Sequence, residues 1–124
     1  MVTYNEHLKN ILKQILDSYN TLKEIEDKEE DLNNLKKEML KINGFLKVVS
    51  KKIDTDKITS PNFKIVKSKF RHYLDNYYFE KEIETMAPLY SNDLGRVKNM
   101  RLKILEALEE RKMMDEVMEL IEKI

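Results

Sequence analysis

The sequence predicts an all-α protein, and three observations carry that prediction. Apolar residues recur at alternating steps of three and four through most of the chain, the spacing that lines one face of a helix at about 3.6 residues per turn. Only two glycines and two prolines occur in 124 residues, too few to punctuate a many-stranded sheet. No stretch of useful length alternates apolar with polar residues, as a strand with one buried face would. The architecture expected is an N-terminal antiparallel helical hairpin over 1–54 and a small helical bundle over 60–124, packed together as one unit.

Leu8, Leu12, Ile15, Tyr19 and Leu22 form the first stripe, widened by Tyr4, Ile11 and Ile25, and predict a helix over 3–26. Leu32, Leu35, Met39, Ile42, Leu46, Val49 and Ile53 keep a strict three-four alternation over three heptads and predict a second helix over 28–53. The two stripes are out of register. Between them Glu24–Asp31 is almost wholly charged, with Asp27 and Glu30 spaced as a capping box. A bend there closes the two helices on each other; the alternative is one continuous helix of about 50 residues, roughly 75 Å long. Gly44 lies inside the second stripe at a cost of about 1 kcal/mol relative to alanine, which close helix packing at that point would explain.

Residues 54–60 are a polar link, and Ser60-Pro61 has the form of an N-cap followed by a first helical residue. Phe63, Val66, Phe70, Tyr73 and Tyr77 then line one face, with Ile65 and Leu74 beside it. A shorter helix carries Phe79, Ile83 and Met86 and is expected to end near Pro88. Ser91-Asn92-Asp93 is a turn and cap cluster. It opens a helix whose Leu94, Val97, Met100, Ile104 and Leu108 face inward. A last helix carries Met114, Val117, Ile121 and Ile124; no glycine marks the boundary over 111–115, so one helix over 94–124 is the alternative.

Composition narrows the function classes. With 23 basic and 23 acidic side chains the net charge is zero, which argues against whole-surface attraction to nucleic acid or anionic lipid. The absence of cysteine excludes disulfides, thiolate zinc sites and cysteine nucleophiles. No apolar run approaches the roughly 20 residues that span a bilayer, and the first ten residues lack an apolar signal core, so a cytoplasmic protein with no membrane partner is expected. His7 and His72 fall on different predicted helices, and neither has a carboxylate or second histidine four residues away. The acidic cluster over 24–31 lacks calcium-loop spacing. No catalytic, metal-binding or cofactor-binding residues are expected, and the chain does not read as an enzyme.

Charge is uneven along the chain. Residues 47–72 carry eight basic groups against Asp54 and Asp56, whereas 73–95 carry Lys81 against Asp75, Glu80, Glu82, Glu84 and Asp93. Lys64, Lys67 and Arg71 share one stripe, which could track phosphates or meet a complementary protein surface. Zero net charge favours the protein surface. In Tyr77-Tyr78-Phe79 neighbouring rings point about 100° apart, so at least one must be exposed or sit in a turn. Met113, Met114 and Met118 suit an adaptable contact surface, although filling the core is the commoner use of methionine. The candidate interaction residues are therefore Lys64, Lys67, Lys69, Arg71, Tyr78, Glu80, Glu82 and Glu84. The three-heptad stripe from Leu32 to Ile53 needs a covering partner, and homodimerisation through it is expected. A non-catalytic module that binds a protein partner or itself is the first expectation. The alternatives are a small nucleic-acid-binding protein using the basic face at 64–71, and an inhibitor or antitoxin that blocks a partner.

The second half carries a family likeness. Tyr73-Leu74-Asp75-Asn76-Tyr77 followed by Glu82-Ile83-Glu84-Thr85-Met86, then Leu94-Gly95 and the run from Leu108 to Val117, resembles the opening and closing segments of bacterial effector-associated, death-like domains. The likeness covers 63–124 and needs one inserted residue near Tyr78; the family's glycine in the last turn is Lys112 here. The resemblance implies a compact helical bundle without catalysis. Such a bundle binds like domains and recruits proteases, nucleotide-binding switches or other effectors in prokaryotic defence signalling.

Overall fold

The computed structural model describes residues 3–25, 31–58, 60–77, 79–90 and 93–124; the expected capping box at Asp27 and Glu30, the Ser91-Asn92 turn and Tyr78 lie outside them. Thr3 is extended, and its Oγ1 accepts the Glu6 backbone N–H at 3.1 Å, so α1 (Tyr4–Glu24) starts on a side-chain cap. Ile25 leaves helical geometry (φ −59°, ψ 129°) and ends it. Helix α2 (Asp31–Lys52) packs back along α1, which decides for the hairpin and against one continuous helix.

A single 3-10 turn at Thr55–Lys57 leads to α3 (Asn62–Asn76). Pro61 is already helical (φ −65°, ψ −21°), and the Ser60 carbonyl accepts the Phe63 N–H at 3.2 Å. The Ser60 hydroxyl, expected as the cap, makes no hydrogen bond among the described residues and is buried. Helix α4 (Phe79–Tyr90) runs two residues past Pro88, where the sequence placed its end. Proline's φ is itself helical, so inside a last turn it removes one donor without stopping the chain. Asp93 caps α5 (Leu94–Glu109) by accepting the Arg96 N–H at 3.1 Å. A short turn at Glu110–Lys112 separates α5 from α6 (Met113–Lys123), so 94–124 is two helices.

Helices α1, α2, α3 and α6 form a closed circuit in which each packs on the next and α6 returns to α1. The α4–α5 pair lies across the end where α1 and α3 finish and α6 begins: the Arg101 Nη1 donates to the Leu22 carbonyl, and Glu80 lies 3.7 Å from Lys47. One continuous core joins Leu8, Leu12 and Ile15 of α1 to Phe63 and Phe70 of α3, Val117 of α6 and Ile83 and Ile104 of the crossing pair. No helix among the described residues is long and apolar enough to cross a membrane.

That core corrects the dimerisation expectation. Leu35, Met39, Ile42, Leu46, Val49 and Ile53 are between 0% and 4% exposed, so these six residues of the seam are covered by the chain's own helices and are not themselves open to a second copy. Leu32 lies on α2, with its side chain outside the description. Gly44 needs no close approach: it is exposed, and a Cβ there meets nothing within 4 Å among the described residues. Tyr4 and Ile65, read as widening the apolar faces, are 58% and 46% exposed. The Tyr4 ring sits in the first turn of α1 with the Lys57 Nζ 5.8 Å from its centroid.

Candidate functional site

Three of the four basic candidates on α3 are tied to carbonyls of their own chain. The Lys67 Nζ donates to the Ile53 carbonyl at 2.7 Å and lies 5.7 Å over the Phe63 ring. The Arg71 Nη2 donates to the Ser50 carbonyl at 3.3 Å, and the Lys69 Nζ donates to the Arg111 carbonyl. Ser50 is in the last turn of α2 and Ile53 lies one residue beyond Lys52, at the negative end of that helix's dipole, so Lys67 and Arg71 complement that end. Lys64 is exposed with no hydrogen bond or ion pair among the described residues. Of the acidic candidates, Glu80 lies 3.7 Å from Lys47, which brings the basic and acidic stretches together inside one molecule. Glu84 borders a hollow of about 490 Å³ shared with Asn43 and Lys81, and Glu82 borders a different one. Tyr78 lies outside the described residues.

The connection between α5 and α6 is strained and held by side chains from two helices, α1 and α3. Arg111 (φ 56°, ψ 26°) and Lys112 (φ 58°, ψ 32°) are consecutive non-glycine residues in left-handed backbone, a region that costs an L-residue about 1–2 kcal/mol. Just before them, Tyr19 of α1 donates its hydroxyl to Glu109, and Tyr77 at the end of α3 donates to Glu110. The His72 Nε2 lies 3.7 Å from the Glu110 Oε1, and Lys69 holds the Arg111 carbonyl. The Tyr77 hydroxyl, helped by the charges of His72 and Arg111, holds the Glu110 carboxyl below its usual range. Hydrogen bonding to Glu110 in turn pushes the Tyr77 phenol up, and burial with the Glu109 bond does the same to Tyr19. These phenols stay protonated and act as donors to the elbow.

Beside this elbow, the start of α4 and the second half of α5 bound an open groove of about 1080 Å³. Its apolar floor is the Tyr77–Phe79 pair, stacked at 5.2 Å with planes 8° apart, together with Leu102 and Leu105. Leu102 is 46% exposed. Glu82 stands on the α4 side, and Glu106, Glu109 and Glu110 follow along α5, against Lys23 and Lys103. Past Lys23 and Glu109 a smaller hollow of about 450 Å³ opens between α1 and α6, bordered by Leu16, Met114 and the 45% exposed Met118. Met118 thus faces outward, whereas Met113 and Met114 are buried. No group of three His, Asp or Glu side chains among the described residues is placed to hold a metal ion.

Of the residues that border the groove, the sequence had singled out Tyr77, Phe79 and Glu82 and had passed over Leu102, Leu105 and Glu106. One signal was present. Leu102 falls out of phase with the Val97–Met100–Ile104–Leu108 stripe, so its apolar side chain stands where that helix should be polar. The Tyr19 and Tyr77 tethers span 90 and 33 residues and left no local trace. Comparison with protein-family models, with curated proteins and with solved structures finds no match to this chain.

Proposed function

We propose that the chain is a non-catalytic helical interaction module, an adaptor that binds another protein through the α4–α5 groove. The observation that carries this is Leu102: a nearly half-exposed leucine on the apolar floor of an open groove with charged walls. Leu102 shares that floor with the stacked Tyr77 and Phe79 rings and with Leu105, and an apolar patch rimmed by charged groups is the kind of surface that marks a protein-interaction site. The likeness of 63–124 to death-like adaptor domains supports a recruiting role, as in prokaryotic defence signalling. The left-handed backbone of Lys112 supports it further, since that residue stands where the family has glycine.

The test is capture of partners from the native cell by tagged wild-type protein and by Leu102→Glu, with circular dichroism confirming equal folding. A set of partners lost with Leu102→Glu is expected; identical partners for both proteins would refute the assignment to this groove. The nucleic-acid alternative has less to draw on, because Lys67, Lys69 and Arg71 already serve the fold. It predicts binding to DNA or RNA at low salt that Lys64→Glu weakens, whereas the adaptor function predicts no effect of that change.

A further inference from the structure

Resting on the interaction-module function, we propose that the α4–α5 groove receives a basic amphipathic helix from a different protein. Charge selects its sign. Four glutamates border the groove against two lysines, and Glu82 and Glu106 make no ion pair among the described residues. The acids stand on both sides of the apolar floor, Glu82 on α4 and Glu106 on α5, so an occupant needs cations on both flanks of an apolar face. Geometry selects a helix. The groove follows the second half of α5 from Leu102 and continues to Glu110, about 12 Å or two helical turns, the length over which two helices pack. Strand addition needs an unpaired sheet edge, and no strand occurs among the described residues.

A second copy of this chain fits less well. On α3 the exposed Ile65 stands about 160° around the helix from Lys67 and about 120° from Arg71, so that helix does not set its apolar side chain between the two cations. The occupant is therefore a helix with one bulky apolar side chain seated against Leu102 and Leu105 and lysines or arginines three or four residues to either side.

The experiment uses the full chain and two labelled synthetic helices of about 14 residues, long enough to cover the groove. One carries a leucine stripe flanked by lysine, and the other the same stripe flanked by glutamate. Fluorescence anisotropy is measured at about 50 and about 300 mM salt, where screening separates charge from apolar contact. The lysine peptide is expected to bind, more weakly at high salt. Its affinity should fall about tenfold or more in Leu102→Glu and in the double variant Glu82→Lys/Glu106→Lys, all at exposed positions. The glutamate peptide should not bind the wild type. Equal binding of both peptides, or binding that survives both variants, overturns the proposal. Self-association in sedimentation that Leu102→Glu abolishes, with no peptide binding, overturns it in favour of a second copy and leaves the module function standing. No peptide binding together with partner capture indifferent to Leu102→Glu removes both.

Discussion

Replacing Lys112 by glycine should stabilise this protein, although glycine at most helical positions does the reverse. Lys112 has φ 58° between two helices, where a Cβ crowds the following carbonyl at a cost of about 1–2 kcal/mol. Glycine removes that strain and returns about 0.5–1 kcal/mol through the larger freedom of the unfolded chain. The net gain is then about 0.5–1 kcal/mol. Lys112 is exposed and has no hydrogen bond or ion pair among the described residues, so its side chain has little to lose. For a chain of this length the gain corresponds to a rise of about 2–5 °C in the midpoint of thermal unfolding. Far-UV circular dichroism on heating and in urea measures it, with two controls. Lys112→Ala keeps the Cβ and should move the midpoint little. Lys98→Gly, at an exposed position inside α5, should lose about 1 kcal/mol. If Lys112→Gly falls as far as Lys98→Gly, the left-handed elbow is not a feature of the folded protein in solution.

Gly44→Ala should raise stability by about 1 kcal/mol in urea unfolding, because the position is helical and a Cβ there meets no neighbour; a loss would reveal a contact at that face. Tyr73→Phe should be neutral or stabilising by up to about 1 kcal/mol, since burial pushes that phenol up and its hydroxyl has no partner among the described residues; a clear loss would mean the hydroxyl is bonded. Glu110 gives a pH dependence. Its carboxyl is held below the usual range chiefly by the Tyr77 hydroxyl, so the stability it contributes is present above the ordinary glutamate value and lost as pH falls through its own lower one. Tyr77→Phe should therefore destabilise near neutral pH and converge with the wild type in acid; a difference that stays constant from neutral to acid pH would rule out the linkage.

The sequence by itself determined the helices and most of their buried faces. Leu8, Leu12 and Ile15, or Val97, Met100 and Ile104, are buried as their spacing required, because a helix's inward face follows from local geometry alone. Tertiary structure decided what covers each face. The seam from Leu35 to Ile53 looks equally ready for a second chain or for α1 and α3 of its own, and only the closed circuit of four helices chooses. The same holds for the cations of α3, whose carbonyl partners lie 14, 21 and 42 residues away, and for the elbow, where tethers from α1 and α3 hold two left-handed residues that no glycine announces. Periodicity is a property of neighbours along the chain, whereas a groove, a tether or a strained turn belongs to segments that meet only on folding.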